Sequence, residues 1–133
     1  MPSDTFSKSV LIVEDDLDLS GIYRGVFQKT GYNAISFTDP ILALEHFKSN
    51  PYFYKLIFTD LRMPGMSGID LAKKIRCIYN DIVIWLCTAF MVEDFLSDSN
   101  FKSARFDMVL EKPIKLSHLK QIIETKLTPL QLK

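Results

Sequence analysis

Short apolar runs alternate along the chain with segments in which apolar residues recur every three or four positions. The runs at residues 9–13, 55–59 and 82–87 are almost unbroken, which is typical of strands buried on both faces. Two shorter runs, at residues 34–37 and 108–110, predict a second and a fifth strand. The chain therefore predicts five strands separated by helical segments.

The first three predicted helices have clear start or stop signals. Asp16 directly precedes the first helical pattern and is predicted as its N-cap, and Gly31 ends that helix. Asp39 is predicted as the N-cap of the second helix, with Pro40 at its first position. The third helix follows Gly68 and runs to about residue 79. These signals set the succession of strands and helices in the first part of the chain.

The later part is less regular. Residues 90–96 are predicted to be helical, whereas residues 97–104 are polar and weakly patterned, and a final amphipathic helix spans residues 116–127. This alternation predicts an α/β fold, a doubly wound five-stranded parallel sheet with five helices. The flavodoxin-like strand order 2-1-3-4-5 is expected, in which the order reverses between the first and third strands.

Composition narrows the class of protein. The 133 residues include 16 Lys and Arg and 16 Asp and Glu, so a formal net charge of zero indicates no attraction to nucleic acid or to an anionic membrane. No apolar segment could span a bilayer, no secretory signal precedes the first strand, and Cys77 and Cys87 form no disulfide framework. A single cytoplasmic domain is expected over residues 1–133, with a core at about 8–128 and no output domain.

Carboxylates follow the two strands between which the predicted order reverses. Glu14 and Asp15 come directly after the first strand, and Asp60 ends the third. Ligands of open parallel sheets bind at this edge, and converging carboxylates resist ionisation unless a cation lies between them. Mg²⁺ is the cation that such oxygen ligands favour. For Glu14 and Asp15 alone, ordinary solvated acids at an exposed strand end explain the pattern equally well.

Two further polar residues end the fourth and fifth strands. Thr88 alone would be read as a satisfied turn residue, and Lys112 alone as one half of a weak surface ion pair. At the same edge as Asp60, however, a hydroxyl donor and a fixed positive charge are suited to binding phosphoryl oxygens. Phosphoryl transfer needs mainly positioning and neutralisation of charge, and a carboxylate can accept the group as an acyl phosphate. The pattern predicts Asp60 as that acceptor.

The chain resembles the response-regulator receiver domains of two-component signalling over nearly its whole length. The matching stretches are Glu14-Asp15, the Asp-x-x-Met-Pro-x-Met-x-Gly motif of residues 60–68, Thr88-Ala89 and Lys112-Pro113. The resemblance implies a phosphorylated signalling domain rather than a turnover enzyme. Its donor would be a histidine kinase or a histidine phosphotransfer protein, and its output a downstream protein that the sequence does not identify. The resemblance also admits a homodimer that forms on phosphorylation.

The resemblance also assigns the metal site. Asp60 would be the phosphoacceptor, and Asp15 would bind Mg²⁺ directly. Glu14 would act mainly through a metal-bound water, and the backbone carbonyl of Arg62 would complete the protein ligands. These four residues form the predicted metal site.

The predicted switch lies on the neighbouring strands. Thr88 would move its hydroxyl toward the phosphoryl group, and Lys112 would be the charge partner, with a cis bond to Pro113 that aims the lysine inward. In the family these changes alter the surface formed by the fourth helix, fifth strand and fifth helix. Control of partner binding through that surface is the expected output.

Several positions depart from the family pattern. Val109 stands where receivers commonly carry an aromatic residue, so the aromatic half of the switch is missing. Phe106 is expected to point to the opposite side of an extended strand and therefore to be a poor substitute. Arg105-Phe106 replaces a small Gly-Ala pair, and Ile114 replaces a frequent phenylalanine. The surface formed by the fourth helix, fifth strand and fifth helix therefore matches the family least well, and so does the output expected through it.

Two other functions are open. Residues 16–20 superficially match the Asp-x-Asp-x-Thr/Val pattern of aspartate-nucleophile phosphatases, although Asp18 falls inside a helical pattern rather than at a strand end. An interaction module that signals without phosphate is the other alternative. Retention of all the chemical residues argues against it, and Val109 is the departure that leaves it open. Phe90 and Arg62 are expected to flank the acceptor. Phe90 either hinders the attack of water on the phosphoryl group, which would lengthen the lifetime of the phosphorylated state, or merely packs under the fourth helix.

Overall fold

Five parallel strands form one sheet in the order β2-β1-β3-β4-β5. The computed structural model describes residues 8–90 and 97–127 of the chain. The strands are Ser9–Val13 (β1), Asn33–Phe37 (β2), Leu56–Asp60 (β3), Val83–Thr88 (β4) and Met108–Glu111 (β5). The predicted sheet, its order and its reversal between the first and third strands are confirmed, with strand ends shifted by about one residue.

Helices connect successive strands and cover both faces of the sheet. They are Leu17–Lys29 (α1), Pro40–Ser49 (α2), Gly68–Ile78 (α3), Ser99–Ala104 (α4) and Leu116–Ile122 (α5), and α5 continues into a π-helical segment, Ile123–Leu127. No helix in the two described parts of the chain is long and apolar enough to cross a membrane.

The core consists of two apolar layers separated by the sheet. Alternate residues of β1 show the division, because Leu11 packs with the layer that includes α2 and α3, whereas Ile12 packs with the layer that includes α1 and α5. All five β1 residues are buried. This burial on both faces is why the strand reads as a continuous apolar run in the sequence.

Local capping fixes the helix starts at the upper, carboxyl edge of the sheet. Asp16 Oδ1 accepts a hydrogen bond from the backbone N–H of Leu19 at 3.1 Å, and Asp39 Oδ1 accepts one from Ile41 at 2.8 Å. Both predicted N-caps are therefore confirmed. With these caps, α1 and α2 begin shortly after the carboxyl ends of β1 and β2.

The region before β5 differs from the sequence-based expectation. The helix predicted at residues 90–96 falls mainly on residues 91–96, which lie outside the described part of the chain. The next helix, α4, begins at Ser99 inside the weakly patterned segment, and Asp98 caps it. The sequence of α4 has little apolar periodicity of its own. Its stability is therefore expected to come mainly from its contacts with α3.

Phe106 is a second difference. It packs against the same apolar layer as Val109, and its ring centroid lies 5.6 Å from that of Phe101. The expectation that it points to the opposite side is wrong, because it precedes β5 and the chain bends at Asp107. Alternation of side chains holds only within a continuous strand. Arg105 begins this irregular segment in the left-handed conformation, with φ of 51°.

A buried arginine ties α3 to the end of α4 and to the start of β5. Arg76 is 9% exposed, and its guanidinium donates to five groups. The acceptors are the backbone oxygens of Ala104 at 3.1 Å, Asn80 at 2.9 Å, Arg105 at 2.7 Å and Ile82, and the carboxylate of Asp107 at 3.2 Å. One side chain thus satisfies carbonyl groups from several otherwise separate segments.

The two cysteines occupy different environments. Cys77 is exposed on α3, whereas Cys87 is buried on β4 with its sulfur 3.6 Å from the hydroxyl of Tyr23. Burial raises the pKa of the Cys87 thiol. Both thiols are free, as the absence of a disulfide framework in the sequence predicts.

Candidate functional site

Three carboxylates meet at the upper edge of the sheet. Glu14 and Asp15 follow β1, and Asp60 is the last residue of the adjacent β3. One carboxylate oxygen from each lies within 4.8 Å of the others. Glu14 is 2% exposed and the Asp60 side chain 11% exposed, whereas Asp15 is open to solvent. The predicted convergence of these acids at one edge agrees with the geometry.

Lys112 joins the cluster from the end of β5. Its Nζ lies 2.9 Å from Glu14 Oε1 and 3.3 Å from Asp60 Oδ1, so one ammonium group contacts two carboxylates. The Lys112 backbone N–H donates to the carbonyl oxygen of Thr88 at 2.8 Å, which holds the segment after β5 against the end of β4. The Lys112–Pro113 peptide bond is cis.

Backbone groups fix the two buried carboxylates. The N–H of Leu61 donates to Asp60 Oδ1 at 2.8 Å, and the N–H of Asp16 donates to Glu14 Oε2 at 3.1 Å. Both contacts described for Asp60 therefore fall on Oδ1. Such bonds hold the carboxylates in place in the absence of a ligand.

Burial makes the ionised acids unfavourable. It raises the pKa of Asp60 and of Glu14 above their ordinary values, and the contacts with Lys112 only partly oppose this effect. For Lys112, burial lowers the pKa, but the hydrogen bond to Glu14 and the charge of Asp60 outweigh it and leave the pKa raised. The three carboxylates exceed the one ammonium in charge.

The residues present fit a divalent cation. The donors are all hard oxygen atoms, they converge, and their charge is only partly neutralised by Lys112. This donor set matches Mg²⁺ better than a softer transition metal. Glu14, Asp15 and Asp60 are the residues that would hold the ion, whereas the role of the Arg62 backbone carbonyl stays a prediction.

Thr88 lies beside the acids without a described bond to them. It is fully buried at the end of β4, one residue beyond Cys87, which is the register partner of Asp60. Its hydroxyl oxygen accepts a hydrogen bond from the backbone N–H of Phe90 at 3.0 Å. The hydroxyl is therefore held by the backbone just after β4, and its predicted movement toward Asp60 stays a prediction.

A contact that the sequence did not indicate joins a residue that follows β3 to one that follows β4. The guanidinium carbon of Arg62 lies 4.1 Å from the centroid of the Phe90 ring, within the range of a cation–π contact. Both residues are exposed, and each lies two positions beyond a predicted site residue. Equal spacing from Asp60 and Thr88 was the signal in the sequence, but it gave no indication that the side chains stack.

Gly68 closes the loop that follows the acceptor. Its N–H donates to the carbonyl oxygen of Leu61 at 2.7 Å, and a Cβ added to it would lie 2.1 Å from the backbone oxygen of Asp60. Only a residue without a side chain fits this approach. The sequence placed Gly68 in a motif but gave it no role, although a glycine at a helix start directly after a loop is a usable signal.

Gly68→Ala is expected to lower the free energy of unfolding by about 1–3 kcal/mol or more, because the added carbon forces the Asp60 backbone to move. Gly25→Ala on α1 is the matched control, since a Cβ there meets nothing within 4 Å. That control should gain about 0.5–1 kcal/mol from its helical position. Urea denaturation of both variants measures the difference, and equal changes in the two would contradict this account of Gly68.

Comparison with known proteins defines the class. The family model of the response regulator receiver domain matches residues 10–124, and the chain therefore belongs to that family. Receiver domains act in two-component signalling, where they interact with histidine kinases or phosphotransfer proteins and with downstream targets. They bind Mg²⁺ at an acidic pocket and are generally signalling domains rather than turnover enzymes.

Two relatives match the chain almost from end to end. The response regulator receiver protein CpdR of Brucella abortus is 33% identical over 120 residues, covering 90% of this chain and 97% of CpdR. Sporulation initiation phosphotransferase F of Bacillus subtilis is 26% identical over 126 residues, covering 94% and 97%. Other relatives are longer, and the chain spans 28% of one that is 31% identical. The fold therefore occurs in relatives of this size and as a part of larger proteins.

A solved structure of a response regulator shares the fold. The response regulator protein TrrA of Thermotoga maritima, crystallised in complex with Mg²⁺ and BeF, has a TM-score of 0.75 and 28% identity. The match covers 88% of this chain and 96% of TrrA.

Proposed function

We propose that Asp60 accepts a phosphoryl group from a phosphohistidine of a partner protein and that this modification controls binding of a downstream protein. The observation that supports it is the convergence of Glu14, Asp15 and Asp60 within 4.8 Å, with Lys112 Nζ at 3.3 Å from Asp60 Oδ1. A buried carboxylate that is held by a lysine and flanked by two further acids is suited to form an acyl phosphate.

The described contacts favour one oxygen of Asp60 as the nucleophile. The Leu61 N–H and Lys112 both contact Oδ1, which leaves Oδ2 to attack phosphorus. An oxygen–phosphorus bond forms, the nitrogen–phosphorus bond of phosphohistidine breaks, and the imidazole nitrogen leaves with the electron pair. Lys112 supplies a fixed positive charge beside the transferred group. Mg²⁺, held by Asp15, Asp60, Glu14 and the Arg62 carbonyl, would neutralise negative charge on the phosphoryl oxygens.

Phosphorylation would be read through Thr88. Its hydroxyl oxygen now accepts a hydrogen bond from the Phe90 N–H. A phosphoryl group on Asp60 would offer the hydroxyl a charged oxygen to which it could donate a hydrogen bond. Movement of Thr88 and of the two residues that follow it would then alter the surface of α4, β5 and α5. Val109, which is half-buried, provides no aromatic ring for this change, so Thr88 would carry the switch.

The positions of the acids in α1 argue against one of the two competing functions. Asp16 caps α1 and Asp18 lies exposed in its first turn, so the acids of residues 16–20 do not end a strand as a phosphatase of that class requires. An interaction module independent of phosphate is the remaining alternative. The presence of all the predicted chemical residues argues against it, and Val109 leaves it open. We further propose that the chain acts as one receiver domain in the cytoplasm.

Incubation with acetyl phosphate tests the function, with intact mass as the measurement. One added phosphoryl group is expected with Mg²⁺ present and none after chelation of divalent ions, because the carboxylate charges then oppose the incoming phosphate. A folded protein that takes up no phosphoryl group with Mg²⁺ would contradict the proposal. Steady hydrolysis of an aryl phosphate would instead favour the phosphatase.

The contact between Arg62 and Phe90 is expected to lengthen the phosphorylated state. Phe90→Ala should lose the phosphoryl group about two- to fivefold faster, because a cation–π contact worth roughly 0.5–1 kcal/mol no longer covers the approach of water. The measurement is loss of phosphate after removal of the donor. Arg62→Met should share the effect, and the double variant should add little.

Phe53→Ala provides the control for that pair, because Phe53 is 46% exposed, compared with 37% for Phe90, and precedes β3 at the opposite edge of the sheet. Its rate of phosphate loss should equal that of the wild type. Equal rates in Phe90→Ala and the wild type would show that the ring merely packs.

A further inference from the structure

Two lysines and a buried tyrosine meet at the amino edge of the sheet, opposite the acidic cluster. Lys8, Tyr32 and Lys55 directly precede β1, β2 and β3, which are neighbours in the sheet. The Asn33 N–H donates to the carbonyl oxygen of Lys8 at 2.7 Å. The Lys55 N–H donates to that of Ser9 at 2.8 Å, so the three segments lie side by side. The Tyr32 ring is 3% exposed, and the ammonium groups of Lys8 and Lys55 lie 5.4 and 6.0 Å from its centroid, so one ring holds two cations.

Neither of these ammonium groups is neutralised by an acid of the described chain. The ion pairs found within residues 8–90 and 97–127 involve neither Lys8 nor Lys55. Burial and the charge of Lys8 lower the pKa of Lys55, because two like charges repel each other. Lys29 adds an exposed cation on this side, whereas Asp81 and Asp107 precede β4 and β5 in the other half of the edge. A carboxylate placed against the two lysines would relieve their repulsion.

Exposed aromatic rings continue this surface toward α2 and α3. Tyr52 is 42% and Phe53 46% exposed in the segment between α2 and β3. The Tyr52 ring centroid lies 5.1 Å from that of Tyr79, which directly follows α3, so a ring contact supports Tyr52. Phe53 is two positions before Lys55. The amino-edge surface, as we call Lys8, Tyr52, Phe53 and Lys55, therefore combines two aromatic side chains with two cations.

The length of the sheet separates this surface from the acceptor. Lys55 directly precedes β3 and Asp60 ends it, so their Cα atoms are about 16 Å apart at an extended rise of about 3.3 Å per residue. A molecule on the amino-edge surface would therefore leave the acidic cluster open.

We infer that the amino-edge surface docks a segment of a partner protein that carries both acidic and apolar side chains. Carboxylates of that segment lie against Lys8 and Lys55, and its apolar side chains pack on Tyr52 and Phe53. The charges supply steering and specificity, whereas burial of the rings supplies affinity. Because Asp60 stays uncovered, the partner binds the phosphorylated and the unphosphorylated chain alike. The inference does not depend on the proposed function.

Two other occupants fit this surface less well. A single-stranded nucleic acid would stack its bases on the rings, but it needs positive charge along its whole backbone, and the chain has a formal net charge of zero. A second copy of the chain would present acids at its carboxyl edge, but docking through that edge would cover its Asp60. The small number of cations favours a short acidic segment of another protein.

A fluorescein-labelled synthetic peptide that alternates glutamate with leucine tests the inference, with fluorescence anisotropy as the measurement. It should bind the full chain saturably and more weakly as salt is added. Two matched peptides, one with lysine in place of glutamate and one with serine in place of leucine, should bind about tenfold more weakly. Prior treatment of the protein with acetyl phosphate and Mg²⁺ should leave the affinity for the first peptide unchanged.

Reversing the charge of the surface should reverse its preference. The double variant Lys8→Glu, Lys55→Glu should bind the acidic peptide about tenfold more weakly than the wild type does, and it should bind the lysine peptide more tightly. A variant that had merely lost its fold would not gain affinity for the second peptide. Phe53→Ser should weaken binding of the acidic peptide about three- to fivefold, because an apolar contact is lost.

Two adjacent residues at the carboxyl edge provide matched controls. Lys115 is exposed, and Leu116, at the start of α5, is 45% exposed, compared with 46% for Phe53. Lys115→Glu and Leu116→Ser should bind the acidic peptide as the wild type does. Thermal unfolding of every variant checks that each one is folded.

Equal binding of the three peptides, or no binding of the acidic one, would overturn the inference. Tighter binding of an oligothymidylate than of the acidic peptide would favour the nucleic acid instead. Self-association in analytical ultracentrifugation that the double charge reversal abolishes would favour a second copy of the chain. Binding that appears only after phosphorylation would also contradict the inference. The mass measurement with acetyl phosphate tests the proposed function separately, so either one can fail without the other.

Discussion

Asp60→Asn is expected to take up no phosphoryl group from acetyl phosphate or from a protein donor, and yet to unfold at a higher temperature than the wild type in metal-free buffer. The loss of uptake follows because an amide oxygen does not form an acyl phosphate. Retained stability would show that the chemistry, rather than the fold, has been removed. Intact mass and thermal unfolding measure the two effects.

The gain in stability follows from the pKa of Asp60. Burial raises this pKa above its ordinary value of 3.8, with Lys112 only partly opposing, so the folded protein disfavours the ionised carboxylate. Asparagine has no charge to bury. The advantage of the variant should be full at neutral pH and should shrink as the pH falls through the raised pKa toward 3.8, where the wild-type carboxyl becomes protonated.

Asp81→Asn is the control for this prediction, because Asp81 is an exposed acid before β4. It should change neither phosphate uptake nor, by more than about 0.5 kcal/mol, the free energy of unfolding. Phosphate uptake by Asp60→Asn at the wild-type rate would disprove the assignment of the acceptor.

Arg76→Met is expected to lower the free energy of unfolding by about 2–4 kcal/mol, because buried acceptors left without a donor cost about 1–3 kcal/mol each. Methionine fills much of the same space but donates no hydrogen bonds, so the oxygens of Ala104 and Ile82 lose a buried donor and Asp107 loses its cationic partner. Urea denaturation followed by the fluorescence of Trp85, the one tryptophan of the chain, measures the loss.

Arg24→Met provides the matched control. Arg24 is an exposed arginine on α1 that donates one hydrogen bond to Ser36 at 2.8 Å. Its replacement should change stability by about 0.5 kcal/mol or less. Arg76→Lys should fall between the two, since an ammonium cannot reach all five acceptors. A loss in Arg76→Met as small as that in Arg24→Met would mean that water replaces the guanidinium.

The sheet could be predicted because its signals are local. Strands such as β1 are buried on both faces and appear in the sequence as apolar runs. The N-caps Asp16 and Asp39 accept hydrogen bonds from residues at most three positions further along the chain. The Arg76 contacts could not be predicted in this way. Ala104 and Asp107 are 28 and 31 positions from Arg76, and no pattern within one helix indicates that an arginine will be enclosed.

The same distinction applies to the candidate site. Convergence of Glu14, Asp15 and Asp60 followed from strand ends sharing one edge of a parallel sheet. The ion pair between Lys112 and Glu14 depends on side-chain conformation at a site 98 residues away along the chain. Phe106 shows the limit of pattern arguments, because a single bend before β5 cancelled the alternation on which the expectation rested.

The two cysteines make the natural sequence convenient for spectroscopy. Cys77 is open to solvent whereas Cys87 is enclosed on β4, so a maleimide dye should attach to one position without any engineering. The label would lie near the end of α3, the helix that begins where the loop after Asp60 closes. A rigid fluorophore there would report the orientation of that helix while the acceptor is loaded and unloaded.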